Sequence, residues 1–407
     1  MRILYLNPSG QLGGAELSLL DLIASIRAAE PDWILQLIAS DDGPVVAKAR
    51  SLGVESKVLP FPHELASIGE ASVSIDLAAR GPVLMARSLC KVFPAFVTYV
   101  RRLDAAIKSL SPDLIHTNGF KMHILGAWAN SMQVPLVWNI RDFVSSRKAM
   151  SRLLRMHRRW CTAVIANSQS VAADMRAVCG DQPDVWSVHN AIDLEYFSPN
   201  GNHLDLDRLS NLKGSANGVV RIGMVGTMAR WKGQEIFLEA ISKLPKNLPF
   251  RGYVIGGPIY VTDGSQYSIE ELRALAMRTG IADRVGFTGY ACEPADAIRA
   301  LDVLVHASTE PEPFGRVIAE GMACGRAVVA SAGGGAAEII SEGVDGLRHP
   351  PGDAAALARC IELLISNSGL RESLAKAGRS TAERRFDRAQ LAGKFVPIYS
   401  SVALQAH

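Results

Sequence analysis

The stretch TEPEPFGRVIAEGMACGRAVVASAGGGAAE, residues 309–338, predicts the chain connections of an α/β fold. A loop rich in carboxylates, proline and glycine leads into an apolar helix, a run typical of a buried strand, and a second glycine turn. The apolar run DVLVHAS, residues 302–308, precedes the loop and predicts another strand. The loop and the start of the helix are therefore expected at the carboxyl end of a strand, where parallel α/β sheets bind ligands.

Apolar runs alternate with helical segments along the rest of the chain, which predicts parallel, doubly wound sheets. The predicted strands are 3–6, 34–39, 114–116, 135–140, 163–166 and 185–188 in the first half, and 219–225, 251–255, 285–287, 303–306 and 327–330 in the second. A chain of 407 residues exceeds what one hydrophobic core usually serves. We therefore expect an α/β protein with two Rossmann-like domains that face each other across a cleft.

Composition indicates the domain boundaries. Residues 198–218 are polar and rich in Asn and Gly, with little apolar periodicity, so we predict an interdomain linker there. The N-terminal domain is then 1–197 and the C-terminal domain 219–385. The remaining segment, 386–407, is predicted to form a C-terminal helix that packs back on the N-terminal domain.

Overall composition is that of a globular protein, with 48% apolar and 20% charged residues. A net charge of +3 is too small to make nucleic-acid binding the expected function. The six cysteines are scattered without zinc-type spacing, which favours reduced thiols. We expect no signal peptide and no membrane span, because neither pattern occurs in the sequence. The expected location is the cytoplasm, with peripheral association on the inner membrane face left open.

Two glutamates frame the start of the helix that follows the strand 302–308. Glu312 lies in the proline-containing loop, and Glu320 lies about one and a half turns inside the helix at roughly 3.6 residues per turn. A carboxylate accepts hydrogen bonds from two neighbouring hydroxyls, so one glutamate suits a sugar and the other a ribose. Most glutamates on helices are simply solvated. Glu320, however, has apolar neighbours such as Val317 and Met322, where an unpaired charge would be costly.

Two cations follow the predicted strand 219–225. Arg230 and Lys232 lie in the loop before a helix, where Arg can bind phosphate with two hydrogen bonds and Lys supplies a point charge. This pattern predicts a pyrophosphate clamp; ion pairs on a solvated helix start are the alternative. Tyr290, after the strand 285–287, is a candidate to contact a nucleobase.

Polar residues and glycines also follow strands in the first half. Gly13 and Gly14 open a helix, where unpaired backbone N–H groups favour phosphate or sugar oxygens, although a plain turn is equally consistent. The glycines do not form the dinucleotide fingerprint GxGxxG. His116 and Asn118 are candidate ligand contacts at a strand end; a capping or buried hydrogen-bonded pair is the alternative.

The segment 147–160, RKAMSRLLRMHRRW, is strongly basic, and no acidic residue occurs from 143 to 173. As a helix it would place its apolar residues on one side and its cations around the other. An anionic membrane surface contacted by Arg147–Arg159, an anionic acceptor and a solvated face are all consistent with this pattern. The segment 66–110 is a second interfacial candidate, with core packing as the favoured alternative.

Several of these motifs resemble those of the retaining glycosyltransferases of family 4, which have the GT-B architecture. The matching segments, in the family's order, are GGAE at 13–16, NAID at 190–193, KG at 232–233, EPFGRVIAE at 312–320 and GGAAE at 334–338. The fourth is the family's Glu-x7-Glu signature. The motifs extend over nearly the whole chain and are specific to the family, though not to one sugar.

The resemblance implies a nucleotide-sugar donor bound mainly by the second domain and an acceptor bound mainly by the first. Glu312 would hold hydroxyls of the transferred sugar, and Glu320 the ribose. The other implied donor contacts are the backbone N–H groups of Phe314, Gly315, Arg316 and Val317, the cations Arg230 and Lys232, and Gly14. Fixed cations and helix ends would stabilise the departing nucleotide, so that no metal and no cofactor are expected.

The chain departs from the family pattern at two places. An arginine common after the first strand of the second domain is Thr227 here, so the clamp could depend on Arg230. Where many relatives have His-x-His, this chain has His116-Thr117-Asn118, which leaves open whether His116 or Asn118 contacts the transferred sugar.

These motifs predict a retaining hexosyltransferase that moves a sugar from a nucleotide donor to a glycan or lipid-linked acceptor in polysaccharide biosynthesis. A UDP-sugar such as UDP-glucose or UDP-GlcNAc is the favoured donor. The alternatives are another GT-B enzyme of nucleotide sugars, of the epimerase or phosphorylase type, and a non-catalytic nucleotide-sugar binding protein.

Overall fold

The chain folds into two compact α/β units, which a computed structural model describes at residues 1–63, 82–180, 182–214, 218–257, 264–291 and 293–404, without the side chains of 82–92. The first unit comprises Met1–Asn190 and Arg388–His407, and the second comprises Ala191–Asp387. Each unit contains one parallel sheet with helices between its strands. The predicted α/β class with two doubly wound domains is confirmed.

The sheet of the first unit has the strand order β3-β2-β1-β4-β5-β6-β7. Its strands are β1 (Arg2–Asn7), β2 (Ile34–Ala39), β3 (Glu55–Val58), β4 (Leu114–Asn118), β5 (Leu136–Ile140), β6 (Ala163–Ala166) and β7 (Asp184–Ser187). Its helices are α1 (Gly14–Ala29), α2 (Pro44–Ser51), α3 (Pro82–Leu110), α4 (Phe120–Trp128), α5 (Lys148–His157), α6 (Gln169–Cys179) and, at the carboxyl end of the chain, the helix Leu391–Leu404. Strands β4, β5 and β6 are buried along their whole length, as expected of a sheet with both faces covered.

The sheet of the second unit has the strand order β10-β9-β8-β11-β12-β13. Its strands are β8 (Val220–Val225), β9 (Phe250–Ile255), β10 (Val285–Gly289), β11 (Val303–His306), β12 (Ala327–Ser331) and β13 (Leu347–His349). Its helices are α7 (Leu206–Leu209), α8 (Gln234–Ser242), α9 (Ile269–Arg278), α10 (Pro294–Arg299), α11 (Arg316–Ala323), α12 (Ala354–Ser366) and α13 (Ser368–Arg385); Leu391–Leu404 is then α14. Because β8 and β11 are adjacent, the loops that follow them meet at one edge of the sheet.

The segment predicted as a linker, 198–218, belongs to the second unit, which is a correction. Although the segment is polar, it makes specific contacts with the rest of the unit. The buried Asp207 accepts hydrogen bonds from Arg251 and from the Tyr253 hydroxyl, each at 2.6 Å. Leu206 beside it is also buried. These contacts attach the described part of the segment to β9.

The C-terminal helix α14 belongs to the first unit. The Ala392 N–H donates to Ser25 Oγ on α1 at 2.9 Å, and Tyr399 approaches β4 with its hydroxyl 2.7 Å from His116 Nδ1. The predicted second interfacial segment, 66–110, is described only in part: residues 66–81 lie outside the described residues, and 82–110 fall in α3.

Candidate functional site

The loop between β11 and α11 is held in place by backbone contacts on both sides. Gly315 caps α11 with a left-handed φ of 90°, and a Cβ there would lie 2.8 Å from Ile318 Cδ1. On the other side, the Gly335 N–H donates to the Glu312 carbonyl oxygen at 2.8 Å. Glycine at 315 therefore allows the sharp entry into α11, and Glu312 is presented at the carboxyl edge of the sheet.

Both carboxylate oxygens of Glu312 are occupied by side chains from the same unit. Lys232 Nζ lies 2.6 Å from Oε1. His306 Nε2 lies 2.5 Å from Oε2, and the Ser308 hydroxyl donates to the same oxygen at 2.9 Å. Burial alone would raise the pKa of Glu312, but the charges and hydrogen bonds of Lys232 and His306 outweigh it and hold the pKa well below its usual value. Glu312 is thus a buried, ionised carboxylate.

Lys232 reaches Glu312 because its own turn packs directly on the end of β11. Residues Arg230–Lys232 form a 3-10 helix, and the Thr309 N–H donates to the Trp231 carbonyl oxygen at 2.8 Å. Gly233 follows with a φ of 79°, and a Cβ there would lie 2.0 Å from the Ala307 carbonyl oxygen. Only glycine permits this approach of the two backbones.

Arg230 does not join Lys232 at Glu312, so the contacts in this structure support only Lys232 of the predicted two-cation clamp. Its guanidinium lies 2.8 Å from Glu271 and 4.3 Å from the ring centre of Tyr267, and it also donates to the Gly264 carbonyl oxygen. Both partners of the ion pair are about half exposed, as in the alternative of a solvated pair. In this structure Lys232 is the cation of the two that contacts the carboxylate site.

Glu320 is buried and pairs with Arg316 one turn earlier on α11, with Nε and Oε1 2.8 Å apart. The same guanidinium donates to the Ala191 carbonyl oxygen at 3.1 Å. Phe314 is buried and packs its side chain against Phe386. The group of Phe314 that is predicted to contact the nucleotide sugar is its backbone N–H. Val317 lies partly buried in the first turn of α11, where N–H groups lack intrahelical acceptors.

A small cavity lies beside Lys232 at the carboxyl ends of β8, β9 and β11, with a volume of about 20 Å³, room for one water molecule. Thr227, Lys232, Gln234, His306, Ser308 and Val317 are among its lining residues. Two buried atoms on this lining, Gln234 Oε1 and His306 Nδ1, have no hydrogen-bond partner within the described ranges. Tyr290 does not line the cavity, and its side chain is 71% exposed after β10.

In the first unit His116 is an interior residue rather than a surface ligand contact. It is fully buried, with Nδ1 2.7 Å from the Tyr399 hydroxyl and Nε2 3.0 Å from the Asn139 amide. Burial holds the pKa of His116 well below its usual value, so the imidazole is neutral. The structure therefore favours the buried hydrogen-bonded alternative, and a contact of His116 with the transferred sugar stays a prediction.

Asn118 and Gly14 lie at the carboxyl edge of the first sheet. The Asn118 amide donates to Asn7 Oδ1 at 2.6 Å, and its oxygen accepts from Arg141 Nε at 3.0 Å, so this side chain is also buried and bonded. Gly14 begins α1, and a Cβ there would meet nothing within 4 Å. The close approach expected of Gly14 stays a prediction about a bound ligand.

The basic segment forms α5 and a 3-10 turn, Arg158–Trp160. Arg147 pairs with Asp142 at 2.5 Å, whereas Lys148, Arg152, Arg155 and Arg159 are exposed. Beside these cations lies a row of four contacting rings, which we call the aromatic row: Phe96, Trp128, His157 and Trp160. Met156 is 69% exposed on the same segment. In the described part of the chain, no helix has the length and hydropathy to cross a bilayer.

His306 and Ser308 are site residues that sequence reasoning missed. Both occur in the apolar run DVLVHAS, where two polar side chains at a strand end were the available signal. Their importance follows from their contacts with Glu312, which lies four to six positions further along the chain.

Comparison with known proteins identifies the class first by fold. The HepE protein of Anabaena, solved in complexes with UDP and with UDP-glucose, matches with TM-scores of 0.78 and 0.77 at 26% identity, over 98% of this chain and 100% of that one. The two parallel α/β units thus have the GT-B glycosyltransferase architecture.

Sequence models specify the family. The model described as Glycosyltransferase Family 4 matches residues 12–196, and the model described as Glycosyl transferases group 1 matches residues 209–381. D-inositol 3-phosphate glycosyltransferase of Thermomonospora curvata is 30% identical over 76% of this chain and 78% of that protein. The chain belongs to the group 1 glycosyl transferases of family 4.

Other relatives align over shorter lengths. Lipopolysaccharide core biosynthesis glycosyltransferase LpsE of Rhizobium meliloti is 29% identical over 51% of this chain. The D-inositol 3-phosphate glycosyltransferase of Xylanimonas cellulosilytica is 31% identical over 58% of this chain. The chain spans 57% and 56%, respectively, of the lengths of these two relatives.

Proposed function

We propose that the protein transfers a hexose, with retention of configuration, from a UDP-sugar to a glycan or lipid-linked acceptor in polysaccharide biosynthesis. The observation that carries this proposal is the buried, ionised Glu312 held beside Lys232 at the carboxyl edge of the second sheet. A carboxylate there can accept hydrogen bonds from sugar hydroxyls while the neighbouring cation neutralises a pyrophosphate. The UDP and UDP-glucose complexes of HepE, at 26% identity, favour UDP over GDP.

Each part of the nucleotide-sugar donor has a candidate binding partner in the second unit. Lys232 and the N–H groups at the start of α11 would bind the pyrophosphate, Glu320 the ribose, and the exposed Tyr290 the nucleobase. The bond between the anomeric carbon and the pyrophosphate oxygen breaks, and its electron pair leaves with UDP. The acceptor oxygen bonds the same face of that carbon, and its proton passes to the departing phosphate. Fixed positive charge would stabilise this leaving group without a metal ion.

A donor screen tests this proposal. UDP-glucose, UDP-GlcNAc and the corresponding GDP-sugars are compared by thermal shift in EDTA, with UMP as the control. A UDP-sugar should raise the Tm most, because a ligand of the folded state stabilises it by mass action. Stabilisation only by GDP-sugars would overturn the choice of UDP, and stabilisation only in added metal would overturn metal independence.

Lys232→Ala should lower kcat/KM by at least about tenfold, near 1.4 kcal/mol of barrier, because Lys232 alone of the two predicted cations contacts the Glu312 site. Arg230→Ala is the matched control, since Arg230 lies two positions away and pairs with Glu271. It should keep activity within about threefold of the wild type. Equal losses in both variants would contradict the assignment to Lys232 alone.

We further propose that the exposed cations of α5 and the aromatic row contact an anionic membrane surface, where a lipid-linked acceptor would be available. Lys148, Arg152, Arg155 and Arg159 supply positive charge, and Met156 and Trp160 supply exposed apolar surface. Cations beside a tryptophan are typical of groups that lie at the headgroup level of a bilayer.

Arg152→Glu/Arg155→Glu should weaken binding to vesicles rich in phosphatidylserine by about 30-fold or more, at about 1 kcal/mol per basic residue. Sedimentation at low and high salt measures this binding, and high salt should weaken it in the wild type. Arg278→Glu is the matched control, because Arg278 is also exposed and adjoins Met277, which is 66% exposed. Wild-type protein that stays in the supernatant at low salt, or equal loss in the control, would contradict the proposal.

A further inference from the structure

His306 is a polar residue whose ring contacts converge on one carboxylate. It ends the apolar strand β11 and is 4% exposed. Nε2 lies 2.5 Å from Glu312 Oε2 and 3.1 Å from Ser308 Oγ, which itself donates to Oε2. Nδ1 has no partner among the described residues. The ring nitrogen Nε2 and the Ser308 hydroxyl therefore both act on the same oxygen of Glu312.

The two oxygens of Glu312 are held by different parts of the unit. Oε2 is held from β11 and the following loop by His306 and Ser308, whereas Oε1 is held by Lys232 from the turn after β8. Lys232 has a flexible four-carbon stem, whereas the imidazole is short and enclosed at a strand end. Ligand binding can therefore displace Lys232 from Oε1 while the contacts to Oε2 remain.

We propose that His306 is a positioning residue for Glu312. It anchors Oε2, so that Oε1 stays directed at the transferred sugar when Lys232 moves from the carboxylate to the pyrophosphate of the donor. This inference rests on the proposed function, because both the sugar and the pyrophosphate belong to the proposed donor.

The charged and titratable groups around His306 and Glu312 determine how kcat should depend on pH. They are Lys232 and Glu312 themselves, and His349 on β13, whose Nε2 lies 3.3 Å from the His306 carbonyl oxygen. Burial lowers the pKa of His349, whereas Lys232 and His306 hold the pKa of Glu312 below its usual value. Removal of His306 should raise the pKa of Glu312 and shift the acid limb of the kcat profile to higher pH.

The test compares His306→Leu, His306→Gln, Glu312→Gln and the double variant His306→Leu/Glu312→Gln in turnover of UDP-glucose. His306→Leu should lower kcat at least tenfold with a smaller change in KM and move the acid limb upward. His306→Gln, which keeps an N–H donor, should recover kcat to within about threefold. In the double variant the two losses should not multiply, because His306 acts through Glu312.

His349→Leu is the control for loss of a buried histidine on β13, two strands away from β11, and it should leave the acid limb in place. Thermal unfolding of every variant shows whether a loss of activity comes from unfolding or from a mispositioned Glu312 carboxylate. Multiplying losses in the double variant, or an unshifted acid limb in a folded His306→Leu, would overturn the proposal. If the wild type consumes no nucleotide sugar at all, the proposed function fails instead.

Discussion

Glu312→Gln is expected to lower kcat by about 100-fold, near 2.7 kcal/mol of barrier, with a much smaller change in the KM of the donor. The amide keeps the size of the side chain but loses the negative charge that orders Lys232 and His306 around it. Steady-state release of UDP measures the effect. Glu310→Gln is the matched control, because Glu310 lies two positions earlier in the same loop and is exposed. Wild-type turnover in Glu312→Gln would contradict the role proposed for Glu312 in binding the transferred sugar.

The same substitution should change how stability depends on pH. The pKa of Glu312 is depressed in the folded protein, so its ion pairs contribute stability above the unfolded value of 4.5, and this contribution is lost as the pH falls toward the folded value. Wild-type protein should therefore lose more stability between pH 5 and pH 3 than Glu312→Gln, on the order of 1 kcal/mol or more. Denaturant unfolding at these pH values checks the difference, and parallel losses would contradict it.

Gly233→Ala should destabilise the second unit by about 3 kcal/mol or more, a fall in Tm of roughly 6–12 °C. The new Cβ would lie 2.0 Å from the Ala307 carbonyl oxygen, at a φ of 79° that L-residues rarely adopt. Relief of this clash must separate the Lys232 turn from β11, so activity should fall even where the protein remains folded.

Gly280→Ala is the control that separates the cost of the steric clash at Gly233 from the cost of a left-handed backbone conformation. Gly280 has a φ of 71°, but a Cβ there would meet nothing within 4 Å. It should cost only about 1 kcal/mol and leave turnover unchanged. Equal destabilisation of the two variants would contradict the close packing of the Lys232 turn on β11.

Apolar runs identified the interior strands because these strands are buried on both faces. The predicted ranges 34–39, 163–166 and 303–306 match β2, β6 and β11. The edge strands β3 and β13 were missed. Glu55–Val58 alternates exposed and half-buried residues, and Leu347–His349 has three residues, so neither forms an apolar run. Local pattern also cannot reveal that the polar segment 198–218 bonds to β9, since that contact is tertiary.

The contacts of the candidate site also depend on tertiary structure that a local sequence pattern does not reveal. The sequence places Lys232 and Glu312 after strands, but their pairing across 80 positions depends on the adjacency of β8 and β11. His116 follows the same rule of strand ends, yet its partner Tyr399 lies 283 positions away on α14, and that contact buries it. Arg230 and Lys232 are two positions apart in sequence, but their different partners follow from the turn that carries them.

Proton NMR of UDP-glucose incubated with the wild-type protein in EDTA tests the central claim most directly, because it follows donor and product together. We expect UDP and a glucose product, either free or on an added acceptor, with no other nucleotide sugar formed. Conversion of UDP-glucose into a second UDP-sugar would identify an epimerase, and consumption only with added phosphate would identify a phosphorylase. Either result, or an unchanged spectrum with every UDP- and GDP-sugar tested, would contradict the assignment as a UDP-sugar-dependent transferase.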